Sequence, residues 1–373
     1  MKICWREISS QRNSWANLYA ACEREGYILE RVSGPEMDVT LYSLNSIVGP
    51  GYLDEIRHAD CITIAGGPHA TARWKNLVRI ADYVVTGEGE HTVPRLLKSI
   101  ESGDPVPPGV ATEKTCTPVD HTVYLDGNPC FSTYKGYIEI SRGCPFRCAY
   151  CQTPRIFGNS IRHRSIRSII ALAESFSQIR FLSPNTLAYG TDGIHPDPDK
   201  ILRLLSELSG TYPDKEIYLG TFPGEIRPEF VNEESVALVT GYCSNRRLHI
   251  GAQSGSDRLL KRIHRGHTLS QVWDAVDCCT DAGITPVIDI IVGFPDETDD
   301  EMVETAGLCR EVSRIGYVHA HRFIPLPGTP LEGSLSRDLI PEVHTVFGSL
   351  ALSGRLTGSW NDPEIRFFSK IPK

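Results

Sequence analysis

The sequence predicts an α/β protein built as a Rossmann-like N-terminal unit, a partial (β/α)6 barrel and a short C-terminal extension. Three observations carry that expectation. Short apolar runs alternate with amphipathic helical stretches, a proline-bearing stretch without periodicity divides two such series, and the second series holds six strands. At 373 residues the chain exceeds one ordinary core, which favours two domains of roughly 120 to 200 residues. With 40% hydrophobic and 23% charged residues it falls among globular rather than disordered chains.

In order, residues 2–5 read as a strand, 13–25 as a helix with Leu18, Ala21 and Cys22 on one face, and 28–32 as a second strand. Residues 61–65 form a compact apolar strand that runs into Gly66-Gly67-Pro68; a helix over 71–80 and a strand over 83–86 follow. This is a parallel βαβ pattern. The stretch with Pro105, Pro107, Pro108 and Pro118 lacks periodicity. The first domain is therefore set at 1–105 and a linker at 106–134. Residues 137–140 read as a strand, and Ile166, Ile169, Ile170, Ala173 and Phe176 recur at helical spacing. Further strands are expected at 180–182, 216–220, 247–251, 285–292 and 317–323, giving a barrel domain at 135–330. A helix over 342–352 is expected within the extension at 331–373.

The balance of 38 basic against 46 acidic residues, a net of −8, argues against a protein that coats nucleic acid. No run approaches 18 apolar residues and the first residues lack a signal-peptide core, so neither a membrane span nor secretion is expected. Twelve cysteines without an export signal read as reduced thiols and metal ligands in a cytoplasmic setting.

Ser141-Arg142-Gly143-Cys144-Pro145-Phe146-Arg147-Cys148-Ala149-Tyr150-Cys151 places three thiols at spacings of four and three after a strand. Three ligands suit an iron–sulfur cluster that needs four, leaving one iron open to something other than protein. The alternatives are a zinc site or three unrelated thiols, but no nearby histidine or fourth cysteine completes a tetrahedral set.

This Cys-x-x-x-Cys-x-x-Cys run, with an aromatic before its last cysteine, resembles the signature of radical S-adenosylmethionine (SAM) enzymes. The resemblance implies that Cys144, Cys148 and Cys151 hold a [4Fe-4S] cluster and that SAM chelates the open iron and is cleaved to a 5′-deoxyadenosyl radical. It extends over about 135–330, because 251–256 and 288–298 are similar to later strand-end motifs of that superfamily. By it, Phe146, Tyr150, Ser183, Asn185, Tyr189, Glu225, Arg227, Gln253, Ser254 and Asp289 are the candidate SAM contacts, with Gln253, Ser254 and Asn185 foremost.

In the first domain, Gly66-Gly67-Pro68-His69 and Gly87-Glu88-Gly89-Glu90 follow two successive strands, on the edge where parallel sheets bind ligands. Glycines let backbone amides approach a large or phosphate-bearing molecule, and Thr92 is expected to open a helix whose positive end faces an anion. Upstream of the cysteine triplet, these turns resemble the cobalamin-binding domain of B12-dependent radical SAM enzymes. The resemblance implies cobalamin held by Ser43, Gly66, Gly67, Pro68, His69, Gly87, Glu88, Gly89, Glu90 and Thr92. The Asp-x-His-x-x-Gly motif that supplies a cobalt-ligating histidine elsewhere is absent, so cobalamin without a protein histidine on cobalt is expected. His69 is expected to pack against a turn.

Arg155, Arg162, His163, Arg164 and Arg167 cluster after the cysteine loop and offer either a phosphate-binding patch or a solvated helix start; with the net negative charge, the second is expected. Together the motifs resemble cobalamin-dependent radical SAM methyltransferases, which methylate unactivated carbons, and within them an archaeal group that methylates a glutamine of methyl-coenzyme M reductase in methanogens. That implies a protein substrate, the alpha chain of that reductase, and an electron donor; nucleic acid and membrane are not expected partners. The barrel motifs are also similar to radical SAM methylthiotransferases acting on tRNA or protein. Against that reading, Cys4, Cys22 and Cys61 do not follow that family's second-cluster pattern, and no succession of short strands follows Leu331.

Overall fold

The computed structural model describes residues 1–8, 12–36, 38–114, 123–127 and 136–361. Cys116 and Cys130, noted in the sequence as near the linker, lie outside them.

The first unit runs β1 (Ile3–Arg6), α1 (Arg12–Arg24), β2 (Leu29–Val32), β3 (Val39–Ser43), α2 (Leu53–Arg57), β4 (Ile62–Gly66), α3 (Pro68–Leu77), β5 (Tyr83–Val85), α4 (Gly89–Ser102) and β6 (Val110–Ala111). These strands form one sheet in the order β2-β1-β3-β4-β5-β6, parallel except for the last pairing. β3 is not among the expected strands. Thr40 and Ser43 break its apolar run, yet all five of its residues are buried, as in a parallel strand covered on both faces. The sheet also takes in β6, past the expected domain end at 105, through Val84 and Val85. One face packs Trp5, Trp15, Leu41, Ile64 and Leu96 into a core; the other packs Tyr42, Leu44, Ala65 and Leu77.

The second unit begins with β7 (Ile138–Glu139), β8 (Ser141–Arg142), α5 (Thr153–Phe157), β9 (Arg162–His163), α6 (Ile166–Ala173), β10 (Gln178–Leu182), α7 (Pro198–Thr211), β11 (Glu216–Tyr218) and α8 (Glu233–Tyr242). It continues with β12 (Arg247–Gln253), α9 (Asp257–Arg262), α10 (Leu269–Asp281), β13 (Thr285–Val292), α11 (Asp299–Val312), β14 (Tyr317–Arg322), α12 (Pro341–Leu352) and β15 (Leu356–Thr357). The expected strand at 137–140 contains β7, which pairs with β10 in the barrel wall, while the residues just after it form β8 and turn aside to pair antiparallel with β9. Parallel sheets β11-β10-β7 and β12-β13-β14-β15 meet through a bridge between Ile226 and Ile250. Among the described residues, one parallel wall of seven strands results, with β7 and β15 at its two edges.

The residues expected to form a separate C-terminal extension complete the second core instead. Val343, Val346 and Phe347 of α12 and Leu356 of β15 are buried with Met302, Cys309 and Val318. Among the described residues no helix is long and apolar enough to cross a membrane.

The two units meet at a buried charge cluster. Arg142, at the end of β8, donates from Nη1 to Glu88 (3.1 Å), from Nη2 to Glu90 (2.7 Å), and from Nε and Nη2 to Glu139 (2.8 and 2.7 Å). Arg162 donates to the other side of Glu88 and to the Val123 carbonyl. Burial alone would raise the Glu90 carboxyl, but Arg142 outweighs it and holds that carboxyl below its ordinary range. Removing one partner from such a network leaves uncompensated buried charge. Arg142→Ala is therefore expected to destabilise the fold by about 3–5 kcal/mol, read as a fall in the denaturant midpoint, while Arg155→Ala, outside the cluster, leaves the midpoint nearly unchanged.

Candidate functional site

The cysteine loop leaves β8 at Gly143, where φ is +84° and a Cβ would stand 2.2 Å from the Ser160 carbonyl oxygen, so only glycine fits. Backbone bonds then pin the loop: Cys144 N–H to Gly158 O (3.2 Å), Ala149 N–H to Ile263 O (2.9 Å) and Cys151 N–H to Cys148 O (3.2 Å). All three cysteines are free thiols lining one cavity of about 440 Å³. Burial pushes the Cys144 and Cys151 thiols up. Among the described residues no three His, Cys, Asp or Glu side chains converge as on a single metal ion. Three thiols on one cavity wall suit a four-iron cluster taking one thiolate per iron.

The rest of that wall is polar and charged. Arg227 lies over the Phe146 ring, 3.5 Å from its centroid, and donates to Glu229. Gln253 ends β12 in the left-handed region (φ 71°), beside a break in the β12–β13 register, and is buried at the cavity edge. Positive φ in a non-glycine residue marks a site where the surroundings dictate the backbone. Across the cavity, burial and the neighbouring Asp289 push the Glu225 carboxyl up to about 7. His249 Nδ1 stands 3.6 Å from Asp289; burial works against its charge, but Asp289 prevails and raises it.

A second cavity, of about 420 Å³, opens where β3, β4 and β5 end, and is walled on its far side by Glu139, Ser141, Arg142 and Phe157 of the barrel unit. Ser43, Gly66, Gly67, Pro68, Gly87, Glu88, Gly89 and Glu90 line it, beside Trp5, Leu41, Ile64 and Val85. At Gly67 (φ +91°) a Cβ would meet the Leu44 carbonyl at 2.9 Å, so the turn hugs the sheet edge and leaves the space above it free. This mostly apolar cradle, rimmed by backbone and acids, fits a broad flat ligand such as a corrin. The two cavities adjoin: Thr153, Ser183, Pro184 and Pro223 line both.

Phe146, Tyr150, Ser183, Glu225, Arg227, Gln253 and Asp289 thus line one cavity with the thiols. Asn185, Tyr189 and Ser254 do not line that cavity. Asn185 accepts from the Arg227 amide (3.4 Å), the Tyr189 hydroxyl donates to the Arg164 carbonyl (2.7 Å) within the barrel core, and Ser254 bonds Thr305 (3.2 Å) and the Ser256 amide (3.1 Å). These are braces between strand ends. In the first unit, His69 and Thr92 likewise miss the cavity lining. His69 is buried within the first turn of α3, its imidazole pushed down to about 4 by burial and Arg73. Thr92 does not open a helix: α4 starts at Gly89, so the free helical amides belong to the Gly89 turn.

The basic cluster after the loop is dismantled by the fold. Arg162 joins the charge cluster, Arg164 is 1% exposed on the Glu139 and Leu125 carbonyls, and His163 bonds Ser141 and Thr191. Neither expectation describes these three, whereas Arg155 on α5 and Arg167 in the first turn of α6 are exposed, as a solvated helix start requires. Sequence reasoning missed Arg142, Arg265, His249, His321, Pro184 and Pro223. None of them stood among the candidate contacts, and Arg142 appeared only as part of the run that leads into Cys144.

Residues 138–309 match the family model described as the Radical SAM superfamily. The chain is 29% identical over 220 residues to the tRNA-2-methylthio-N(6)-dimethylallyladenosine synthase of Aquifex aeolicus (strain VF5), covering 56% of this chain and 48% of that protein. It is 31% identical over 223 residues to the threonylcarbamoyladenosine tRNA methylthiotransferase MtaB of Thermotoga maritima, covering 55% and 49%. The chain thus spans about half the length of these curated relatives. Among solved structures, it is similar to the radical SAM methyltransferase TsrM from Kitasatospora setae with cobalamin and a [4Fe-4S] cluster bound. The TM-score is 0.68 at 16% identity, over 89% of this chain and 74% of that one. It is also similar to the cobalamin-dependent SAM radical enzyme OxsB with aqua-cobalamin and SAM bound, with a TM-score of 0.63 at 15% identity, over 99% and 60%. The similarity of fold thus takes in both units, and between them those two solved structures hold a [4Fe-4S] cluster, SAM and cobalamin.

The raised Glu225 carboxyl has a ligand-independent consequence. The folded state holds its proton more tightly than the unfolded state does, so stability falls as pH rises from 4.5 to about 7 and is level above that. Glu225→Gln is expected to gain on the unsubstituted protein across that window, by up to about 3 kcal/mol, in denaturation midpoints measured pH by pH; a gap that does not change with pH contradicts this.

Proposed function

We propose that this chain is a cobalamin-dependent radical SAM methyltransferase that replaces hydrogen by methyl at an unactivated sp3 carbon. The observation that carries the reading is the adjoining pair of cavities, one lined by three thiols and the other by the glycine turns, with Thr153, Ser183, Pro184 and Pro223 common to both. In this reading Cys144, Cys148 and Cys151 hold the cluster; Phe146, Tyr150, Glu225, Arg227, Gln253 and Asp289 face SAM; Ser43, Gly66, Gly67, Gly87 and Gly89 bed the corrin. When bound, the cluster and SAM supply hydrogen abstraction from an unactivated carbon, and cobalamin supplies the methyl group.

The chain's own contribution is alignment and exclusion. The charge cluster around Arg142 keeps the two strand-end edges face to face, so the target carbon is held between two fixed ligands. Apolar groups of the corrin bed, among them Leu41, Ile64, Val85 and Phe157, keep water from that side. His69 is buried outside the corrin cavity, which supports cobalt without a protein histidine. The finer substrate, the Cα of a glutamine in the methyl-coenzyme M reductase alpha chain, rests on the resemblance of the motifs alone.

A second reading, methylthio transfer to tRNA or protein, is favoured by the names of the curated relatives. Against it, Cys4 and Cys22 are buried on β1 and α1, and Cys61 contacts Thr40 ahead of β4, so the first unit's cysteines serve its core. The two readings part in one experiment. Anaerobically reconstituted protein is expected to carry one [4Fe-4S] cluster and one cobalamin, the latter with an EPR spectrum free of nitrogen splitting. With SAM, a reductant and a peptide spanning the reductase glutamine, the peptide is expected to gain CH2. Replacing Cys144, Cys148 and Cys151 together by alanine abolishes cluster absorption and SAM cleavage. Two clusters with no cobalamin uptake, or a gain of CH2S on tRNA, overturns the methyltransferase reading.

A further inference from the structure

Arg265 enters none of the motifs, yet its guanidinium stands within hydrogen-bond reach of a thiol of the cysteine loop. It follows α9, whose end is closed by His264 in the left-handed region (φ 55°) and by a bond from the Arg265 amide to the Leu260 carbonyl (2.9 Å). Two residues before Arg265, the Ile263 carbonyl accepts from the Ala149 amide within the cysteine loop (2.9 Å). The Arg265 backbone and the Cys148 backbone are therefore pinned to the same turn. The guanidinium, 9% exposed, lines the thiol cavity. Its Nη2 donates to the Gly251 carbonyl (2.8 Å), which fixes the plane of the fork, and its Nη1 stands 3.8 Å from Cys148 Sγ. Gly251 admits this arrangement, since a Cβ there would lie 2.7 Å from Arg265 Nη2. Arg227, also in the cavity wall, is engaged with Glu229 and the Phe146 ring, whereas Arg265 donates toward a thiol.

A buried guanidinium beside a thiol is costly if the thiol stays neutral and favourable once sulfur carries negative charge. Each electron added to an iron–sulfur cluster increases negative charge on its sulfurs, and hydrogen bonds to those sulfurs are among the determinants of cluster potential. We propose that Arg265 is a positioning residue for the cluster: its N–H···S hydrogen bond to the Cys148 thiolate holds that ligand in place and raises the potential at which the cluster takes up an electron. The proposal rests on the reading of Cys144, Cys148 and Cys151 as cluster ligands. The step concerned is a one-electron reduction in which no bond is made or broken, with dithionite as the reductant in the test.

The test is a redox titration of the reconstituted full chain, without SAM and without substrate, following the reduced cluster by EPR, with iron and sulfide counted on every sample. At a fixed poised potential Arg265→Gln is expected to lower the reduced-to-oxidised ratio about tenfold, equivalent to about 59 mV for one electron. Arg265→Lys, which keeps the charge but not the two-point geometry, is expected to shift it in the same direction by less; if Arg265→Gln assembles no cluster, the shift is read on Arg265→Lys. Full iron content with an unshifted potential in both variants overturns the role of Arg265 and leaves the methyltransferase reading standing. A parent protein that assembles no four-iron cluster overturns both. Because the titration contains no SAM, a guanidinium that served only to bind that molecule would leave the potential unmoved.

Discussion

A single arginine, buried against three carboxylates, sets the relation between the two halves of this protein. Arg142 is 3% exposed and its partners come from both sides: Glu88 and Glu90 from the first unit, Glu139 from the barrel wall. Buried charge of this kind is poor as a source of net stability but strict about geometry, because each partner must be present and correctly placed. The strictness bears on function, since Arg142 directly precedes Gly143 and Cys144. The same few residues that close the seam also launch the thiol loop.

From this seam the two ligand spaces follow. Parallel sheets present their binding edges where strands end. Here the ends of β3, β4 and β5 face the mouth of the barrel, so the glycine turns and the thiols look toward one another. The polar groups divide accordingly. The barrel cavity collects Arg227, Arg265, Gln253, Glu225 and Asp289, suited to a small charged ligand, while the first unit offers aliphatic and aromatic walls with close backbone approach, suited to a large flat one.

Much of this was legible in the residues. The alternation of strands and helices, the thiol spacing and the glycine turns gave the architecture and the location of both cavities, because each rests on local chemistry. What escaped was whatever depended on long-range pairing. β6 is two residues long and exists only through its pairing with β5. Ser254 and Asn185 looked like ligands because both stand at strand ends, but the Ser254 hydroxyl bonds Thr305 and the Asn185 amide oxygen accepts from the Arg227 amide, partners far off in sequence. The arginines after the thiol loop looked free because their acceptors, Glu88 and the carbonyls of Val123 and Leu125, lie in the other unit or ahead of the barrel. A charge run reads as surface until the counter-charges are located.

The wall shared by the cavities is made of Thr153, Ser183, Pro184 and Pro223, side chains too short or too rigid to swing aside. Adjacent ligand spaces separated by so thin a partition do not respond independently. A bulkier side chain at Pro184 or Pro223 intrudes on both spaces at once, and its effects do not add to those of substitutions deeper in either one. The specificity of the two sites is therefore a joint property: a change selected to widen one is inherited by the other.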